Sequence, residues 1–287
     1  MQEVITDSKV LIALGIAGGI IVIVLITCIL IRLLRDNRGY SIGHSLHVDV
    51  GNAQTIGTRE KQDDSFAVSI REYGLMALVA DGIGGYINGK LASSITAETF
   101  MDEFEKRDVT DNLTYYFQKS AMLSNERIRD EFGDTKGGTT LVAVVLKDDK
   151  LFWTSVGDSN IAVFRGGRLI MVNRKENVKN FMEDQYHAGA IAREEALSNN
   201  TDTRLVNYLG YDGFKKADES DRPIFLKKGD KVLIYSDGVE VLGQIGLEKL
   251  LSKKTHPQKT ADTIIAQINA YKKKNKDNAT IVILTIK

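Results

Sequence analysis

Four aspartates each stand at one end of an apolar run. The run LMALVA ends in Asp81 and opens into Gly82-Ile83-Gly84-Gly85, KVLIYS ends in Asp237-Gly238, Asp158 follows LFWTSVG, and Asp277-Asn278 precedes ATIVILTI. One Asp-Gly after one strand is ordinarily a turn. Four carboxylates at strand tips suggest more, because hard divalent cations such as Mg²⁺ or Mn²⁺ take oxygen ligands, and two ions sharing carboxylates activate a water between them as a nucleophile. The short Asp side chain is well fixed by a strand tip, and Gly82 and Gly238 clear side chains from beside the ions. If the tips converge, like-charge repulsion makes the cation a structural requirement; the alternative is a set of dispersed surface turns.

Metal-assisted phosphoryl transfer also needs a planar cation on the non-bridging phosphate oxygens. Arg59, at the head of Arg59-Glu60-Lys61-Gln62-Asp63-Asp64, is the candidate, with Asp63 and Asp64 as ligands or supports of the ions. The bland reading is an exposed charged turn. The single cysteine, Cys28, excludes a disulfide framework and a Cys-rich zinc site. Lys plus Arg equals Asp plus Glu, at 38 each, so no global positive field draws the chain to nucleic acid.

The elements that must position these residues are legible as alternating and apolar runs. Strands are expected at Ser45–Val50, Ser65–Ile70, Leu75–Ala80, Thr139–Leu146, Leu151–Val156, Ile161–Arg165, Arg168–Val172, Lys231–Tyr235 and Ala279–Ile286, with Gly166-Gly167 as a hairpin turn. Helices are expected at Lys90–Lys106, at Asp111–Phe132 with an Asp start and a Gly133 stop, and at His256–Lys274. The polar stretch Lys175–Glu219, with a helical piece at Ala192–Leu197, reads as an insertion over the rim. Strands and helices are segregated, which predicts an α+β domain of stacked antiparallel sheets flanked by helices.

Ahead of this, Val10 to Ile31 carries no charge over about 22 residues, enough for a helix to cross a ~30 Å hydrocarbon core. Arg32, Arg35 and Arg38 follow it directly, so the positive-inside rule places the rest of the chain in the cytoplasm. The expected organisation is an N-terminal segment, residues 1–38, with a transmembrane helix at about 10–34, then a catalytic domain over 39–287. Gly15, Gly18 and Gly19 would let two such helices pack, although glycine is frequent in membrane helices anyway.

From about Ser45 onward the chain resembles the type 2C, metal-dependent protein serine/threonine phosphatases. Six segments carry the resemblance in order: Arg59 to Asp64, Asp81-Gly82-Ile83-Gly84-Gly85, Gly137-Gly138-Thr139-Thr140, Val156-Gly157-Asp158-Ser159, Ser236-Asp237-Gly238 and Asp277-Asn278-Ala279-Thr280. The resemblance implies a central antiparallel β-sandwich between helix pairs, a bacterial-like membrane-anchored member, and two Mn²⁺ or Mg²⁺ ions. It implies that Asp81 bridges the ions, the Gly82 carbonyl and Asp63 hold one, Asp237 and Asp277 hold the other, and Asp64 orients water. A third ion, known in bacterial members, would use Asp158 and Asp237. Lys175–Glu219 would be the flap beside the cleft. Two departures stand out: Gln62-Asp63 replaces Asn-Glu/Gln, and Ile83 stands where animal members have a histidine that protonates the leaving group.

The function expected is hydrolysis of phosphoserine and phosphothreonine in proteins by a metal-activated bridging water, with phosphorylated proteins and a membrane-anchored kinase as partners. A catalytically silent, membrane-tethered binding domain is the competing class, opposed by the full carboxylate set. A hydrolase of nucleotides or other small phosphates is the third; the chain has no Lys-bearing glycine loop to favour it.

Overall fold

The computed structural model describes residues 40–42, 46–84, 88–106, 108–133 and 135–287. The predicted span over Val10–Ile31 lies outside them, and among the described residues no helix is long and apolar enough to cross a membrane.

Two sheets are built from runs whose alternate residues face opposite ways. One sheet orders β1 (Tyr40–Ile42), β2 (Leu46–Thr55), β14 (Ala279–Ile286), β13 (Lys231–Tyr235), β9 (Asn160–Arg165) and β10 (Arg168–Met171). The other orders β11 (Asp218–Glu219), β8 (Lys150–Val156), β7 (Leu141–Lys147), β4 (Gly74–Ala80) and β3 (Ser65–Arg71), with β12 (Ile224–Phe225) also beside β8. All pairings are antiparallel. A two-stranded ladder joins β5 (Gly82–Ile83) to β6 (Gly138–Thr139).

The layers follow from period-two alternation. Along β4, Leu75, Ala77 and Val79 point into the core between the sheets, where they meet Val232, Ile234, Val282 and Leu284. Met76 and Leu78 point the other way, onto helices α1 (Asn88–Glu105) and α2 (Leu113–Phe132). On the far side Leu233, Ile281 and Ile283 face α5 (Gly243–Leu251) and α6 (Pro257–Ala270). Every residue of β4 and of β14 is buried, the mark of a strand covered on both faces. The result is the expected sandwich between two helix pairs.

Several boundaries differ from the sequence reading. Helix α2 is capped by Asn112, whose Oδ1 accepts from Tyr115 N at 2.9 Å, rather than by Asp111; the helix closes at Gly133, whose φ is +53°. Helix α6 stops at Ala270, and strand β2 runs on to Thr55. The expected strand Thr139–Leu146 divides at Thr140 between β6 and β7. The 3₁₀ segment Asp237–Leu242 and α5 after it were not anticipated. Between β10 and β11, helices α3 (Val178–His187) and α4 (Arg193–Ser198) form the predicted rim insertion, and neither buries a residue. The insertion is tied down at its base, where Glu176 N donates to Gly157 O at 2.8 Å and Gly157 N to Glu176 Oε2 at 2.8 Å.

Candidate active site

The strand tips converge. Arg59, Asp63, Asp81, Gly82, Asp158, Asp237 and Asp277 line one cavity of about 280 Å³, with Leu205 of the rim insertion on its wall. Asp81 leaves β4 with its backbone held on both sides: its N–H donates to Thr140 Oγ1 at 3.2 Å, and its carbonyl accepts from Thr140 N at 2.9 Å and Thr139 Oγ1 at 2.8 Å. Thr140 is in turn bonded to Ser159 beside Asp158, the two hydroxyls 2.7 Å apart. Asp237 opens the 3₁₀ segment after Ser236, which donates through N–H to Thr280 O at 3.0 Å and accepts from Thr280 N on its hydroxyl at 2.9 Å. Two sets of backbone and hydroxyl hydrogen bonds therefore fix these strand ends, one joining Asp81, Thr139, Thr140 and Ser159 and the other joining Ser236 and Thr280.

Asp64 is not among the cavity-lining residues but stands directly against Asp81. It is fully buried, and its Oδ2 accepts from Ser236 Oγ at 2.8 Å, so it supports the Asp237 strand from behind. Asp63 is in the cavity, its N–H donating to Asn278 Oδ1 at 2.7 Å and its carbonyl accepting from Ser93 Oγ at 2.6 Å. Asn278 was not singled out in the sequence, yet its Nδ2 also donates to Ile56 O and Lys61 O, each at 2.9 Å, and so clamps the whole Arg59 loop. Gly85 lies outside the described residues.

The two glycines also serve the packing of the backbone. A Cβ on Gly82 would lie 2.2 Å from Gly89 O, and one on Gly238 would lie 2.0 Å from Asn278 O. Both positions let the chain's own backbones touch, which is what brings Asp81 and Asp237 together.

Burial is the main influence on these carboxyls. It drives the Asp81 carboxyl well above its ordinary value, reinforced by the charges of Asp64, Asp237, Asp277 and Asp158. Asp237 is pushed up to about 7 by burial first and then by Asp158 and Asp277. Burial raises Asp158 as well, with Lys175 pulling the other way. Arg59 Nη2 is 2.6 Å from Asp277 Oδ2, and this hydrogen bond holds its proton more firmly than in water. Lys175 Nζ and Glu240 Oε1, 2.6 Å apart, stand next to Asp158 and Asp237.

Among the described residues no group of three or more His, Cys, Asp or Glu side chains is gathered tightly enough to hold an ion as they stand. The donor set nevertheless fits divalent cations. Asp63 Oδ1 and Asp237 Oδ1 are buried with no hydrogen-bond partner, and the surplus of desolvated negative charge lacks a counter-ion of matching size.

Residues 53–278 match the family model for protein phosphatase 2C. The serine/threonine phosphatase Stp of Listeria monocytogenes serotype 4b is 24% identical over 217 residues, covering 73% of this chain and 83% of that protein. The protein phosphatase PhpP of Streptococcus pneumoniae serotype 2 is 25% identical over 203 residues, covering 68% and 78%. Among solved structures, the Streptococcus agalactiae serine/threonine phosphatase superposes with a TM-score of 0.74 at 21% identity, covering 84% of this chain and all of that one. The catalytic domain of the phosphatase PstP, solved with two manganese ions, gives 0.68 at 20% identity, covering 84% and 99%. At such identities the structural likeness shows a shared α+β fold.

Proposed function

Because the chain belongs to the protein phosphatase 2C family and is a protein-serine/threonine phosphatase, we propose that the cavity at the strand tips is its active site and that it acts, from the cytoplasmic face of a membrane, on phosphoserine and phosphothreonine in proteins. The observation that carries this reading is the meeting of Asp63, Asp81, Asp158, Asp237 and Asp277 with Arg59 in one cavity.

Asp63, Asp81 and the Gly82 carbonyl would hold one divalent cation, Mn²⁺ or Mg²⁺, and Asp81, Asp237 and Asp277 would hold a second. Asp158 would join Asp237 in a third. Bound there, the ions supply neutralising charge and lower the pKa of water from ~15.7 toward neutrality. Arg59 donates to Asp277 at the edge of the cavity, where its planar fork would grip two non-bridging oxygens of a phosphoryl group. Asp64 and Ser236 hold the Asp237 strand end against the repulsion of its neighbours. Ile83 offers no proton, so the leaving alkoxide takes its proton from solvent in the cleft.

The apolar run at Val10–Ile31 with Arg32, Arg35 and Arg38 behind it supports anchoring in the membrane, and with it access to substrates phosphorylated by a membrane-anchored kinase. Two experiments test the proposal. Manganese-dependent hydrolysis of a phosphothreonine peptide, abolished by chelator and by Asp237→Asn, is expected; persistent turnover in that variant would sink the site assignment. The full-length chain is expected in the membrane fraction of lysed cells, and recovery in the supernatant would remove the anchor.

A further inference from the structure

A second cavity, of about 500 Å³, opens beside the active site with the Lys175–Glu240 ion pair on its wall; Glu240 also lines the groove that holds Arg59, Asp237 and Asp277. Its inner end is formed by Asn160 on β9 and Tyr235 on β13, which are register partners. Asn160 is 1% exposed, and among the described residues neither its amide nitrogen nor its amide oxygen has a hydrogen-bond partner. Among the described residues the Tyr235 hydroxyl donates to the Met171 sulfur, at 3.7 Å, a weak acceptor. A fully buried amide left with both a donor and an acceptor unused is costly, and it marks a place where a ligand has something to pair with.

Leu169, Met171, Val172 and Leu247 give the walls an apolar side, and the uncharged amides Asn173, Asn180 and Gln244 share the lining. The cations at the mouth are already matched: Lys175 is paired with Glu240, and Arg174 lies 2.9 Å from each of Glu183 and Asp184. No charge is left over to receive a charged group. The chemistry therefore asks for an apolar stem ending in an uncharged head that both donates and accepts.

Position names the occupant. Asn160 is two residues beyond Asp158 and Tyr235 two residues before Asp237, so the cavity floor sits two extended residues, roughly 7 Å, from the carboxylates. In an extended substrate the side chain two places from the phosphorylated residue points the same way as that residue and lies the same distance from it. We propose that this cavity is a specificity pocket, taking a glutamine or tyrosine side chain two residues from the phosphoserine or phosphothreonine. The proposal rests on the phosphatase reading and adds a sequence preference to it.

The test uses the purified full-length chain with manganese and phosphoserine peptides of one background sequence, carrying Ala, Leu, Gln, Tyr, Lys or Glu two places before or after the phosphoserine. Gln or Tyr at one of these places raises kcat/KM by about tenfold over Ala, mostly through KM, with Leu between and Lys and Glu without gain. Met171→Trp on one wall, or Gln244→Trp on another, fills the cavity and brings the Gln-to-Ala and Tyr-to-Ala ratios to about one. Ile170→Trp, on the exposed opposite face of β10, keeps them. A flat profile across the peptides, or a preference that survives both filling variants, overturns the pocket while leaving the phosphatase reading intact. Absence of turnover on every peptide and on p-nitrophenyl phosphate overturns the phosphatase reading, and the pocket with it.

Discussion

Removing a metal-binding carboxylate should make the metal-free protein more stable while abolishing its activity. Asp237 shows this most clearly. Its carboxyl moves from 3.8 to about 7 on folding, a span of roughly three pH units, which corresponds to about 4 kcal/mol at 1.36 kcal/mol per unit. Asp158 and Asp277 contribute part of that and relax when one partner goes, so about 2 kcal/mol is the expected gain for Asp237→Asn. For a domain of this size that is a rise in melting temperature of about 4–8 °C. The sign follows from the direction of the movement. A carboxyl raised in the folded state favours folding below its unfolded value near 4, and that benefit disappears as pH climbs through about 7. In chelator the gap between variant and parent should therefore be widest at pH 8 and close as the pH falls toward 4. Saturating manganese should reverse the order, because only the parent keeps the full ligand set. Thermal melts of both full-length chains at pH 8 and pH 5, with and without manganese, check each part. Coincident melts in chelator at pH 8 would refute the claim that these carboxylates crowd one another.

Further outcomes follow from the same contacts. Arg59→Ala should lower kcat/KM on phosphopeptides by about a hundredfold or more, and Arg59→Lys should recover little of it because a point charge cannot replace a planar fork; steady-state kinetics decide. Asn278→Ala removes three hydrogen bonds to the Arg59 loop and should cost about 2–4 kcal/mol in urea unfolding, with faster amide exchange confined to residues near 56–63. Gly238→Ala drives a Cβ to 2.0 Å from Asn278 O and should destabilise by more than about 2 kcal/mol, measured by the same unfolding curves. Manganese at a hundred times its dissociation constant should stabilise the parent by about 2.7 kcal/mol, and the gain should vanish in the Asp81→Asn variant.

The layers were legible because their signal is local. A run such as GLMALVA, buried throughout, declares a strand covered on both faces, and the Asp after it declares a strand end. The segment from Asp237 to Leu251 was missed because Gly238, Gly243 and Gly246 interrupt its helical pattern and read as turns. The N-cap of α2 was misplaced by one residue because Asp111 and Asn112 are both good caps and only the backbone decides between them. The polar clamp was invisible for another reason. Asn278 to Lys61, Arg59 to Asp277 and Ser236 to Asp64 join residues far apart in the chain, and hydrogen bonds at such separations leave no periodic trace. Gly82 and Gly238 stand out in the sequence for clearance around ions, and their second use, pressing backbone against backbone, depends on partners distant in the chain.

Neither α3 nor α4 contributes a buried residue, so amino-acid changes on those two helices scarcely alter folding stability. Evolution can therefore rewrite the outer surface of the insertion freely, whereas the strand ends that carry the carboxylates are tied into the buried sheets. A lineage built this way can acquire new clients at little structural risk while its chemistry stays unchanged.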